Sequence, residues 1–199
     1  MEANPDRTVA SPNIVFMGQG EPLHNFDEVK TTCEVLLSKN GVCLGPRQIT
    51  LSTVGYLPGL ERIRELPPVN FALSLHSAIP EKRAKLVTLE KTSGIDKIIP
   101  LLGNIPLKRN QFINFEYLLI SGFNDGEDDA VALAALSKRF SSIVNIIPFN
   151  EIPGMRWKRP AEERVAAFKA MLVARKVRTM VRNSKGRDIS AACGQLAGE

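Results

Sequence analysis

Ile14-Val15-Phe16-Met17 and Val144-Asn145-Ile146-Ile147 are close to unbroken apolar runs of strand length, not alternations of apolar and polar residues. Such runs suit strands covered on both faces, as in a parallel sheet flanked by helices. Five segments of strand character recur, at residues 13–17, 47–53, 69–75, 114–120 and 144–148, and a helical pattern follows each. The clearest helix is 26–39, with Asn25 at the N-cap, Glu28 as capping-box partner, and Val29, Cys33, Leu36 and Leu37 at helical spacing. Further helices are predicted at 57–66, 81–87, 95–103, 128–140 and 161–175, with a sixth extended run at 179–182. The class is therefore α/β, and the pattern fits either an open doubly wound sheet or part of a barrel.

A chain of 199 residues with 44% hydrophobic content has enough apolar surface for one domain with a substantial core. No apolar stretch approaches the ~20 residues that span a bilayer, and residues 1–11 lack an apolar signal core. A cytoplasmic protein without a membrane partner is expected. The net charge of +5 is compatible with a polyanionic partner. Cys33, Cys43 and Cys193 are odd in number and widely spaced, which argues against a disulfide framework and for a reducing compartment.

In parallel α/β folds, ligands bind beyond the carboxyl ends of the strands, so the residues there carry the functional signal. The first strand ends in Gly18-Gln19-Gly20-Glu21-Pro22, the second in Ser52-Thr53-Val54-Gly55, the third in Ser74-Leu75-His76-Ser77 and the fifth in Pro148-Phe149-Asn150. The fourth runs into 121–126, which reads as a turn. Glycines beside Glu21 suit close backbone approach to a ligand, and its carboxylate suits an amino group; a strand-to-helix turn with a solvated glutamate is the plain alternative. Ser52 and Ser74 fit local backbone bonding equally well, and His76 alone fits a structural role. Taken together, these strand ends place a carboxylate, hydroxyls, an imidazole and an amide on one face, a set suited to a cofactor with amino-acid and ribose parts.

Cys33 and Cys43 read as core thiols. Cys193 differs, because Ala191, Ala192 and Gly194 surround it and the preceding 182–187 run contains Arg182, Lys185 and Arg187, which favour the thiolate. That run reads as an exposed basic turn or as a phosphate contact. Arg156, Lys158 and Arg159 around Trp157, in the proline-rich loop 148–160, form a second basic and aromatic group; the indole suits base stacking or anchoring of its own loop.

The runs Val15-Phe16-Met17-Gly18-Gln19-Gly20-Glu21-Pro22-Leu23, Leu51-Ser52-Thr53, Leu73-Ser74-Leu75-His76, Ile147-Pro148-Phe149-Asn150 and Ala191-Ala192-Cys193-Gly194-Gln195-Leu196 resemble the radical S-adenosylmethionine (SAM) methyltransferases of adenine carbon 2 in 23S rRNA and tRNA. A related carbon-8 enzyme shares the pattern. The resemblance implies a partial TIM-like barrel of six βα units, of which this chain lacks the first: residues 1–12 as a polar lead, and 13–199 as the barrel with a C-terminal loop. It implies SAM binding by Gly20, Glu21, Ser52, Ser74, Leu75, His76 and Asn150, and a methyl-carrying role for Cys193. In such enzymes a deoxyadenosyl radical takes hydrogen from the carrier methyl, and the resulting carbon radical adds to an adenine ring whose carbon 2 is not nucleophilic. The target base leaves its stack to react.

The family's [4Fe-4S] cluster sits on a C-x-x-x-C-x-x-C loop, and this sequence contains no C-x-x-C. Gln19 stands where a methionine is usual. The resemblance therefore implies 23S rRNA and tRNA as partners, with no metal ligands in this chain and catalysis only where the cluster loop is supplied, either upstream of an incomplete gene product or by a separate N-terminal cluster-binding polypeptide. The alternative expectation is a non-catalytic SAM- and RNA-binding module, or a decayed remnant.

Overall fold

The computed structural model describes residues 12–17, 20–152 and 154–182. Six strands, β1 (Ile14–Phe16), β2 (Ile49–Thr53), β3 (Asn70–Ser74), β4 (Ile113–Leu119), β5 (Ser142–Pro148) and β6 (Thr179–Val181), form one parallel sheet in sequence order. The run at 179–182 thus contributes a sixth strand, paired with β5. Helices α1 (Phe26–Leu37), α2 (Leu57–Glu61), α3 (Pro80–Arg83), α4 (Ile95–Leu102), α5 (Glu127–Ser137) and α6 (Glu162–Ala174) lie in the connections.

Side chains alternate across a strand, so the register divides the sheet into two faces. Ile49 and Leu51 of β2, Phe71 and Leu73 of β3, Phe115 and Tyr117 of β4, and Val144 and Ile146 of β5 share one face. They form a single core with Leu23, Phe26, Cys33, Ile98, Leu133 and Phe168 from the connections. The other face presents Thr50, Ser52, Ser74, Asn114, Glu116 and Asn145. Covering by helices on both faces, expected from the apolar runs, is not what forms. The helices bury one face only, and Val15 on the other face of β1 is 54% exposed among the described residues.

Curvature explains the division. Met17, just past β1, and Arg182, just past β6, follow the two edge strands of the sheet, yet Arg182 Nη1 lies 4.0 Å from Met17 Sδ. A sheet whose edges approach at one end is curled, with the polar face concave. This is the α/β partial barrel anticipated from the sequence.

Several boundaries differ from expectation. Asn25 occupies the N-cap of α1 but makes no side-chain cap bond, because the 3₁₀ turn Pro22–Asn25 runs directly into the helix. Glu21 caps that turn instead, accepting from the Leu23 N–H at 3.0 Å. The helix predicted at 81–87 shrinks to Pro80–Arg83, followed by turns that bring Glu90 back to Arg83. Cys43, expected in the core, is exposed, with φ 58° in the loop after α1; Cys33 is buried as expected.

Candidate cofactor cavity and its rim

The carboxyl ends of the strands surround a cavity of about 250 Å³ on the concave face, lined by Gly20, Glu21, Ser52, Ser74, His76 and Glu116, with Ile147 and Arg182 on the far side. Each lining group has a local cause. Gly20 adopts φ +97°, which disfavours other residues, while a Cβ there would meet nothing within 4 Å. Its glycine is required by the turn and not by close packing. Glu21 is neither solvated nor free: Oε1 accepts from Leu23 and Oε2 from the Val54 N–H at 2.9 Å, joining the β1 and β2 loops.

His76 has φ 57°, and two bonds fix its place. Its Nδ1 accepts from the Leu118 N–H at 3.2 Å, which leaves the proton of the neutral ring on Nε2. Its carbonyl accepts from Asn124 Nδ2 at 2.8 Å. Burial, followed by the nearby Arg83 charge, lowers its pKa to about 4, so the ring is a neutral donor at pH 7.

Behind the cavity, fully buried Arg83 donates from Nε to the Leu75 carbonyl at 3.1 Å and from Nη2 to the Val54 carbonyl at 2.6 Å. Its Nη1 bonds Glu90, whose other oxygen accepts from the Ile95 N–H at 2.9 Å at the start of α4. One guanidinium thus ties the ends of β2 and β3 to the following helices.

Two sequence-predicted site residues stand apart from the cavity lining. Leu75 is fully buried, and its N–H donates to the Glu116 carbonyl at 3.0 Å. Asn150 is buried and accepts from Arg159 Nη1 at 3.4 Å. Cys193, Gly18, Gln19 and the basic residues 183–187 lie outside the described residues.

No family model matches the chain. The chain is 42% identical to the dual-specificity RNA methyltransferase RlmN 2 of Myxococcus xanthus over 185 residues, covering 93% of this chain and 49% of that protein. A radical SAM methyltransferase of known structure from Sphaerobacter thermophilus superposes with a TM-score of 0.84 at 38% identity, over 94% of this chain and 55% of that one. Over nearly its whole length the chain thus matches part of the radical SAM dual-specificity RNA methyltransferases. It spans about half the length of the curated relatives it matches. A domain of pyruvate-formate lyase-activating enzyme from Bacteroides vulgatus shares the fold alone, with a TM-score of 0.62 at 13% identity.

The cavity fits S-adenosylmethionine. The adenosine part of that cofactor needs neutral donors and acceptors on a partly apolar wall, and His76 Nε2, the Ser52 and Ser74 hydroxyls and Ile147 supply them. The described residues do not fit an iron–sulfur cluster. Among them, no group of three or more His, Cys, Asp or Glu is placed to hold a metal. Burial raises the Cys33 thiol to about 11, away from the thiolate that ligation requires, and Cys43 is on the surface. Also among the described residues, no helix is long and apolar enough to cross a membrane.

At the rim, the loops after β3, β4 and β5 meet in an aromatic and basic group. Trp157 packs on Phe123 with ring centroids 4.5 Å apart. Arg156 lies over the indole at 4.5 Å, and Lys85 over the Phe123 ring at 5.8 Å. Lys82, also near Phe123, is bonded to buried Asp129 at 2.7 Å. The indole therefore anchors its loop while Arg156 and Lys85 remain exposed.

Sequence reasoning missed Glu116, Asn124 and the Arg83–Glu90 pair. A glutamate inside the apolar strand Ile-Asn-Phe-Glu-Tyr-Leu-Leu was the available signal for Glu116, since buried carboxylates need a reason. Asn124 carried none beyond turn composition.

Proposed function

We propose that this chain provides the SAM-binding cavity and part of the RNA-facing rim of an enzyme that methylates carbon 2 of adenine in 23S rRNA and tRNA. The observation that supports this most is the convergence of Gly20, Glu21, Ser52, Ser74 and His76 on one cavity, at the positions where the family holds SAM. Leu75 and Asn150 belong to the same site through their backbone and loop positions. SAM, when bound, supplies the methyl group and, with a reduced cluster, the radical.

The chain's own contribution is binding and orientation. His76 presents a fixed Nε2–H, the serines offer hydroxyls, and the Glu21 carboxylate locks the loop that carries Gly20 against β2. Cys193 is the proposed methyl carrier, and Arg156 and Lys85 the proposed phosphate contacts that guide an unstacked base inward. The described residues supply no ligands for that cluster. The isolated chain therefore binds SAM without cleaving it.

Calorimetry with SAM tests the cavity directly: binding is expected for the wild type and is weakened at least tenfold in Ser74→Leu or His76→Leu variants that still fold. Absence of SAM binding by the wild type would sink the reading. Anaerobic treatment of the isolated chain with iron and sulfide is expected to give no stable four-iron cluster, and deoxyadenosine release after it would contradict binding without cleavage.

A further inference from the structure

Glu116 sits in the middle of the concave floor, opposite Ser74 on β3 and Asn145 on β5. It is 5% exposed. Oε1 accepts from Asn145 Nδ2 at 2.9 Å, which fixes the carboxyl plane. Oε2 is buried with no hydrogen-bond partner among the described residues, although Glu116 lines the cavity. A buried polar oxygen without a partner is destabilising, so its presence here calls for a ligand.

We propose that Glu116 is a ligand-binding residue of this cavity, and that Oε2 pairs with a sugar hydroxyl of a bound nucleoside. The class follows from the surroundings. Burial raises the Glu116 pKa, against opposing contributions from the Asn145 bond and the Arg182 charge, which favours the protonated carboxyl more than in a free glutamate. A hydroxyl satisfies both states, accepting from one and donating to the other, whereas an ammonium suits only the ionised form. The Ser74 hydroxyl in the facing register position adds a second partner of the same kind.

The inference rests on the nucleoside-cofactor reading of the cavity, and the test separates the two. Calorimetry compares SAM, adenosine, 2′-deoxyadenosine and 3′-deoxyadenosine on the wild type, Glu116→Leu and Glu116→Gln. Adenosine is expected to bind about tenfold more weakly to Glu116→Leu, and within about threefold of wild type to Glu116→Gln, because the amide still offers a partner to a hydroxyl. The deoxynucleoside that lacks the contacted hydroxyl should bind wild type and Glu116→Leu alike. Unchanged adenosine affinity in Glu116→Leu, equal loss in Glu116→Gln, or no nucleoside binding by the wild type would overturn the proposal. Wild-type binding of adenosine without SAM removes the SAM reading and leaves this one standing. If Glu116→Leu does not fold, the wild type decides alone, and two deoxynucleosides that bind as tightly as adenosine overturn it.

Discussion

Arg83 has no access to solvent, so its charge depends wholly on Glu90 and on the carbonyls of Val54, Ser74 and Leu75. Removing one member of a buried pair leaves the other uncompensated, which costs about 3–5 kcal/mol. Glu90→Ala is expected to lose that much in urea unfolding, and Glu90→Ala with Arg83→Met less than the sum of the single changes. A loss under about 1 kcal/mol for Glu90→Ala would show that the pair does not hold the strand ends. His76 makes a pH prediction with the opposite exposure to charge. Its folded pKa, about 4, lies below its unfolded value near 6.5, so the unfolded state takes up the proton first. The stabilising contribution is complete above pH ~6.5 and is lost as pH falls toward ~4, by at most ~3 kcal/mol. Glu116 acts in the other direction: with its pKa raised, its contribution declines as pH climbs from the unfolded value through the folded one. Urea midpoints between pH 4 and 7 should therefore fall less steeply on acidification in His76→Gln than in wild type. An unchanged slope would assign the acid sensitivity to other groups.

Between β4 and α5 the chain turns on Asn124, whose side chain does the work of a small element. Oδ1 accepts from the Ile120 N–H at 2.8 Å, and Nδ2 donates to the carbonyls of His76 and Leu118. Its own carbonyl accepts from Tyr117 Oη at 2.7 Å. Asn124→Ala strands buried backbone groups at the ends of both β3 and β4, a cost of about 2–4 kcal/mol. Hydrogen exchange should then accelerate first at Ile120 and Leu118, and protection unchanged at those amides would refute the coupling. The sequence announces 121–126 as a turn from Gly122, Asn124 and Gly126, but not that one amide would reach another strand's histidine. Strands and helices were readable because apolar periodicity is local, and Ile146 or Phe71 follows it directly. The face assignment was not, because curling of the sheet depends on non-local pairing and converts a run such as Ile14–Met17 from doubly covered to half open. Ser52, Ser74 and His76 were readable as strand-end residues by the same local logic. Glu116 was hidden because it lies within a strand, and only the register sets it beside Ser74 and Asn145.

At the scale of the whole molecule, a charge of +5 raises the concentration of any polyanion near the surface, while only specific contacts fix where it docks. The rim offers two exposed cations held over aromatic rings, Arg156 on Trp157 and Lys85 on Phe123. Other basic residues near the rim are already engaged: Lys82 with Asp129, Arg159 with Glu162 and Arg164 with Asp125. If RNA docks on this rim, Arg156 and Lys85 each neutralise about one phosphate, and each contact adds about 0.7–0.9 to the slope of log K against log salt. Binding of a short adenine-containing single-stranded RNA, titrated across a salt series, should lose about that much slope in Arg156→Ala and again in Lys85→Ala. A diffuse attraction predicts something else, namely a slope unaltered by either change and lowered equally by alanine at remote basic positions such as Lys97 or Lys169. Trp157→Ala adds a second discriminator. If the indole serves only to pack on Phe123, its loss lowers thermal stability and leaves the salt slope intact; if it also stacks on a base, affinity falls by about 1–3 kcal/mol at every salt concentration, because stacking releases no counterions.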